Sequence, residues 1–169
     1  RLASGAAIQG LTGLAVRKTL VVIPNQIDAR FLQGLTEGLA LASYSFDRYR
    51  QPDEQETSVE EITLLTATES EARALIRAFD RGLMLSGATC LARDLVNEPP
   101  NRLTPTSLAE RATGLAEEQG LQSQVFSRAE LTEQGFGALL GVARGSAEEP
   151  RFIILEHAGE DANAAPLIL

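Results

Sequence analysis

The segment Glu69–Val96 constrains the fold most, because it contains neither proline nor a cluster of turn-forming residues. At about 1.5 Å per residue, a helix over this segment is roughly 40 Å long, enough to join two domains. Pro99 and Pro100 follow within Asn97–Asn101 and end the helix, since consecutive prolines cannot continue its hydrogen-bond ladder. Its apolar residues recur at helical spacing and predict one buried face: Ala72, Leu75, Ile76, Phe79, Leu83, Gly87, Cys90, Leu91 and Leu95.

Short β-branched segments alternate with helical patterns on both sides of this helix, and this alternation predicts an α/β layer architecture. Before it we predict a weak helix or loop over residues 1–16, a strand over Thr19–Ile23, a helix capped by Asp28 and reaching about Tyr44, a surface loop over Gln51–Ser58 and a strand over Ile62–Thr66. After it we predict a helix from Thr104-Pro105 to Gly120, strands over Gln122–Phe126, Leu139–Ala143, Phe152–Glu156 and Pro166–Leu169, and a short helix over Arg128–Gln134.

The composition excludes several classes of protein. With 44% apolar residues the chain can bury a core, and with 15 Lys and Arg against 23 Asp and Glu its net charge of −8 argues against a nucleic-acid or anionic-membrane surface. No apolar run approaches the roughly 20 residues that span a bilayer, so we expect a soluble protein. The single cysteine excludes an internal disulfide and indicates a reducing, cytoplasmic compartment. Because Arg1 stands in place of an initiator Met, we expect a segment of a longer chain.

His157 is the one conventional general base, and Glu156, Glu160 and Asp161 lie beside it. This grouping could form a metal site or a catalytic pair. A solvated strand end is the favoured interpretation, because a single histidine among loop acids forms no complete set of ligands.

Two further candidates are expected to be structural. Cys90 lies in the middle of the long helix, away from any helix N-terminus that could activate its thiol, so we interpret it as a buried structural cysteine. Gly135–Gly137, followed by Gly141 and Gly145, lacks the spacing of a phosphate loop and predicts a turn before a tightly packed strand. The acids of Gln51–Glu61 and Glu148-Glu149 lack the spacing of a calcium loop and are interpreted as solvated surface.

Asp94 differs from these residues, since it lies on the long helix with Asn97 and Asn101 close behind it. We predict a structural hydrogen-bond network that holds the helix end to the Pro-Pro turn. A direct catalytic role for Asp94 remains the alternative.

Two ordered segments carry a family resemblance, one over Ala92–Pro105 and Leu108–Glu110 and the other over Gly137–Ser146 and Pro150–Glu156. They resemble the leucyl aminopeptidase (cytosol aminopeptidase) family. The run Ala92–Pro105, continuing to Leu108–Glu110, resembles the entry into that family's catalytic domain. Gly137–Ser146 and Pro150–Glu156 are similar to its next segment, with Phe136 where a Met is usual. Upstream, the resemblance extends to the closing helix of the family's N-terminal domain, which itself resembles macro domains, through Gly38-Leu39, Tyr44, Phe46-Asp47 and Tyr49.

The resemblance implies an α/β chain in three parts. Residues 1–67 form the end of a macro-like N-terminal domain, residues 68–97 form a linker helix and residues 98–169 begin the aminopeptidase catalytic domain. It also implies a hexameric, cytoplasmic enzyme in which two divalent ions, manganese or zinc, activate a water that removes N-terminal residues, often leucine, from peptides.

The family's metal ligands and catalytic groups belong to segments that are absent from this sequence. We therefore assign no catalytic, cofactor-binding or metal-binding residue here, and we do not promote His157 to a ligand. The chain alone is expected to be inactive.

Two other functions stay open at this point. One is a non-catalytic binding or assembly module that takes a macro-type ligand or DNA, against which the acidic balance weighs. The other is a nucleotide-binding α/β enzyme, which the absence of a phosphate loop disfavours.

Overall fold

The protein is described from a computed structural model that covers residues 1–12, 14, 16–25, 27–51, 59–159, 165 and 167–168. The chain divides into two compact units, residues 1–97 and 98–169. Unit 1 contains α1 (Leu2–Thr12), β1 (Lys18–Val22), α2 (Ala29–Ala42), β2 (Glu61–Leu65) and α3 (Glu69–Asn97). Unit 2 contains α4 (Pro105–Gln119), β3 (Gln122–Phe126), α5 (Arg128–Glu133), α6 (Gly137–Val142), a 3-10 turn (Ala143–Gly145) and β4 (Phe152–Glu156). The predicted mixed α/β class is confirmed.

The strands of unit 1 are parallel, with Lys18 opposite Glu61 and Val22 opposite Leu65. Alternate strand residues point to opposite faces. The inward face packs with the helices around a core of Ile8, Leu39 and Val59. The outward apolar side chains of Leu20, Val22 and Leu65 are exposed.

Small residues form the buried face of α3 against α2, whereas the sequence predicts that the larger apolar residues of this helix are buried. The buried residues of α3 are Ala78, Gly82 and Ser86. A Cβ on Gly82 would lie 2.8 Å from the Cβ of Thr36, so the backbones approach more closely than larger side chains allow. Larger apolar residues of the predicted face stay half exposed, among them Ile76 at 50% and Leu83 at 45%.

A second close crossing joins α1 to α2. A Cβ on Gly38 would overlap the hydroxyl of Ser4 and the backbone of Arg1. The Glu37 carboxylate is buried beside this crossing, where it forms an ion pair with Arg1 and accepts a 2.7 Å hydrogen bond from Gln33. Burial of Glu37 is tolerated because both partners compensate for its lost hydration.

In unit 2, β3 and β4 are antiparallel, with Gln122 opposite Glu156 and Phe126 opposite Phe152. The ring of Phe152 lies 6.0 Å from that of Phe126 and 5.3 Å from that of Phe136. Leu131 of α5 is fully buried. These apolar contacts form the described core of the unit.

The ends of α2 and α4 follow the predicted signals. Thr104 accepts a hydrogen bond from the amide of Ser107 at the start of α4, and Gly120 ends that helix at a φ of 67°. Asp28 caps α2 by accepting from the amide of Phe31. Ser127 and Glu130 form a reciprocal capping box on α5.

The predicted strand over Leu139–Ala143 is wrong, because these residues lie in α6 and the 3-10 turn. Gly135 turns the chain at a φ of 78°, and the carbonyl of Phe136 then accepts from the amide of Leu140. A short apolar run fits either a strand or a helix, and here the turn at Gly135 leads directly into helical hydrogen bonding. The packed strand expected after Gly135–Gly137 is wrong for the same reason.

Two other predictions fall partly outside the described residues. Pro166 and Leu169 of the predicted last strand are outside them, while Leu167 and Ile168 lie in neither a helix nor a strand. Of the predicted loop Gln51–Ser58, only Gln51 is described.

Candidate functional site

The polar side chains at the end of α3 form a connected cluster among the described residues of unit 1. The hydroxyl of Tyr44 donates to Oδ1 of Asp94 at 2.8 Å, and the guanidinium of Arg48 donates to Oδ2 at 3.1 Å. The side-chain amide of Asn97 donates to the Tyr44 hydroxyl at 3.2 Å. The guanidinium of Arg93 lies 5.4 Å from the centre of the Tyr44 ring. We call these five residues the Tyr44 clasp.

The clasp has a clear sequence origin. Tyr44 and Arg48 lie just after α2, where the chain turns back along the end of α3, and the helical repeat places Arg93, Asp94 and Asn97 toward them. Arg93 also donates a 3.0 Å hydrogen bond to the carbonyl of Leu41, in the last turn of α2. Tyr44 and Arg48, which follow α2, therefore hold the end of α3. Arg93 of α3 in turn holds the end of α2.

The clasp shifts the acidity of its phenol. Burial raises the pKa of Tyr44 most, and the hydrogen bond to Asp94 and the charges of Asp94 and Cys90 raise it further, while the hydrogen bond from Asn97 lowers it. The neutral phenol is therefore favoured, and it donates to the carboxylate.

The hydrogen-bond network predicted around Asp94 is present, but its partners differ from the predicted ones. Asp94 does join a structural network that includes Asn97, but the network holds the helix end to Tyr44 and Arg48. Asn101 is exposed in the turn that follows. The cause is tertiary, since Tyr44 lies 50 positions from Asp94 in sequence.

In unit 2, the segment Glu98–Leu103 forms a tight hydrogen-bonded turn that leads into α4. The carbonyl of Pro99 accepts from the amides of Arg102 at 2.8 Å and Leu103 at 2.9 Å. The Glu98 side chain is 3% exposed, and Arg111 lies 3.2 Å from its Oε2. This buried ion pair has no sequence signature, because no local spacing connects a turn residue to a position about two helical turns into α4.

His157 is exposed just after β4, and the adjacent Glu156 is exposed as well. Glu160 and Asp161, the other two members of the predicted grouping, lie outside the described residues. Within the part of the chain that the structure describes, no three His, Cys, Asp or Glu side chains are arranged to hold a metal ion.

Cys90 is half-buried rather than buried. The buried face of α3 contains Gly82 and Ser86 and does not include Cys90. Leu91, next to Cys90 in the sequence, is 38% exposed. Some of the acidic surface residues form ion pairs, Glu60 with Arg17, Glu61 with Lys18 and Glu149 with Arg151.

A shallow groove lies at the carboxyl ends of β1 and β2, the edge at which open α/β sheets bind ligands. Two adjoining cavities of about 170 and 180 Å³ form it. Their lining is apolar apart from Thr66 and Glu71. An apolar groove with one carboxylate does not suit an anionic nucleotide, which weakens the macro-type ligand alternative.

No helix in the described ranges combines the length and the apolar character needed to cross a membrane.

Comparisons with known proteins address the family. Residues 1–53 match the model of the cytosol aminopeptidase family, N-terminal domain, and residues 90–169 match that of the cytosol aminopeptidase family, catalytic domain. A protein of Geotalea uraniireducens named "Probable cytosol aminopeptidase" is 39% identical over 175 residues, covering 100% of this chain and 35% of the relative. The chain spans about a third of the length of the curated relatives it matches.

Solved structures agree with these matches. The bottromycin maturation enzyme BotP, in a complex with manganese, is similar at a TM-score of 0.78 and 34% identity, over 94% of this chain and 33% of that one. A mutant of tomato leucine aminopeptidase shares the fold at a TM-score of 0.75 and 23% identity, over 90% of this chain and 31% of that one. Both the sequence motifs and the fold therefore agree: this chain belongs to the cytosol aminopeptidase family.

Proposed function

We propose that this chain is the connecting part of a metal-dependent aminopeptidase that removes N-terminal residues, leucine among them, from peptides. The observation that carries the proposal is the match of two successive domain models, N-terminal over 1–53 and catalytic over 90–169, in one short chain. In this assignment residues 1–67 end the N-terminal domain, residues 68–97 form the linker helix and residues 98–169 begin the catalytic domain.

The described residues do not fit a two-metal centre. His157 is exposed, and no three metal-ligating side chains come together in the described ranges. No catalytic step is therefore derived from this chain. In the proposed enzyme the two divalent ions, manganese or zinc, are held by the part of the protein that corresponds to the other two thirds of the relatives. The manganese in the BotP complex supports a divalent ion of this kind.

In this proposal the residues of the chain have structural roles. The Tyr44 clasp holds the end of the linker helix, and the Glu98–Arg111 pair with the Pro99 turn sets the start of α4. A hexameric assembly and a cytosolic location belong to the same proposal, and the names of the relatives support the location.

The two family models and the curated relatives support the peptidase interpretation over the binding-module alternative. Nothing in the groove of unit 1 favours a nucleotide, and the net charge of −8 opposes DNA.

A chimera tests the proposal. Residues 1–169 replace the aligned 35% of the Geotalea uraniireducens relative, and leucine release from a leucyl amide is measured with and without manganese. We expect no release by the isolated chain and manganese-dependent release by the chimera, with the unmodified relative as the control.

A chimera that folds but stays inactive beside an active relative contradicts the proposal. So does manganese-dependent release by the isolated chain at the rate of the relative.

A further inference from the structure

The last turn of α3, residues 94–97, is weak as an isolated helix. It contains no basic residue, and it places the carboxylate of Asp94 near the negative end of the helix dipole. Val96 and Asn97 both have low helix propensity. Pro99 and Pro100 follow and have no amide hydrogen with which to continue the ladder.

The Tyr44 clasp supplies what this turn lacks. Arg48 places a positive charge 3.1 Å from the Asp94 carboxylate, which offsets the unfavourable interaction of that carboxylate with the helix dipole. Tyr44 donates to the other carboxylate oxygen and accepts from Asn97, so one phenol binds the first and last residues of the turn.

The clasp also stabilises the end of α2. Arg93 comes from the turn of α3 just before and donates to the carbonyl of Leu41 near the end of α2. Its guanidinium lies over the Tyr44 ring. The end of α2 and the end of α3 are therefore stabilised by the same few side chains, and loss of one contact weakens the others.

We propose that the Tyr44 clasp is a conformational latch: residues 94–97 are helical while it is closed and unwind when it opens. The structure represents the closed state. Since a helical residue rises about 1.5 Å and an extended one about 3.3 Å, unwinding these residues lengthens the connector after α3 by roughly 7 Å. The latch thus sets the length of the link into the Glu98–Leu103 turn.

Hydrogen exchange followed by mass spectrometry on residues 1–169 tests the latch. Tyr44→Phe removes the hydroxyl and keeps the ring beneath Arg93. We expect the amides of residues 94–97 to exchange about 10- to 100-fold faster, while those of the first turns of α3 and of α4 exchange as before. Asn97→Val removes one hydrogen bond of the clasp at the exposed helix end, and valine has about the same helix propensity as asparagine. We expect a rise of about 3- to 10-fold confined to the same amides.

Arg73→Met is the matched control, because it removes an exposed ion pair with Glu69 from the first turn of the same helix. It should leave the amides of residues 94–97 unchanged. Unchanged exchange at these amides in both Tyr44→Phe and Asn97→Val overturns the latch. Faster exchange spread evenly over α2 and all of α3 also overturns it, since that result reports loss of global stability.

Discussion

The hydroxyl of Tyr44 lies 2.8 Å from Oδ1 of Asp94, so a residue just after α2 donates directly to the last turn of α3. The amide of Asn97 donates to the same hydroxyl at 3.2 Å. The phenol is therefore donor and acceptor at once, and it keeps both bonds only while it is protonated.

The first prediction concerns alkaline pH. Because the folded protein raises the pKa of Tyr44 above its ordinary value of 10.0, the stabilisation from the neutral phenol is complete below about pH 10. It is lost as the pH rises through the raised pKa. In a Tyr49→Phe background, which leaves Tyr44 as the single tyrosine, ultraviolet absorbance should show tyrosinate forming at higher pH in folded than in urea-unfolded protein. Titration at the same pH in both states contradicts the prediction.

The second prediction concerns the crossing of α2 and α3. Gly82→Ala places a Cβ 2.8 Å from that of Thr36 and 3.0 Å from the carbonyl oxygen of Gln33, so we expect a loss of about 1–3 kcal/mol in urea unfolding. Gly87→Ala is the control on the same helix, because a Cβ there meets nothing within 4 Å. It should gain up to about 1 kcal/mol from helix propensity. Equal effects of the two substitutions would argue against close packing at Gly82.

The third prediction concerns a buried hydroxyl. Oγ1 of Thr36 is buried, and no hydrogen-bond partner is found for it among the described residues. Thr36→Val replaces this hydroxyl with a methyl group of similar shape, so we expect the free energy of unfolding to rise by about 1 kcal/mol. Thr36→Ser, which keeps the hydroxyl and removes the methyl, should be less stable than the parent chain. A valine variant that unfolds at lower urea than the parent would show that the hydroxyl has a partner.

The fourth prediction concerns the capping box of α5. Hydrogen bonds from the hydroxyl and the amide of Ser127 hold the pKa of Glu130 below its ordinary value. Stability from the ionised carboxylate is therefore present above about pH 4.5 and is lost as the pH falls through the lowered pKa.

Two variants measure this effect in urea unfolding as a function of pH. Ser127→Ala removes the cap and should cost about 1 kcal/mol at neutral pH. Glu130→Gln should be less stable than the parent chain at neutral pH and should approach it in acid. A constant difference between Glu130→Gln and the parent at every pH would contradict the assignment.

Local signals were sufficient for most elements of the fold. The capping residues Asp28 and Thr104 and the αL residue Gly120 act within a few positions of themselves, so they are readable in the sequence. The helix after Gly135 is predicted wrongly as a strand, because its short apolar run fits both periods and periodicity alone does not distinguish them.

The sequence by itself determined the family, through the ordered motifs of residues 92–105 and 137–156, and it determined the long α3 helix and its end at the two prolines. Only the tertiary structure decided which face of α3 is buried, since the close approach to α2 selects Ala78, Gly82 and Ser86 over larger side chains. It likewise decided the partners of Asp94 and Glu98. Contacts between residues far apart in the chain depend on how helices pack, and no local pattern of residues encodes them.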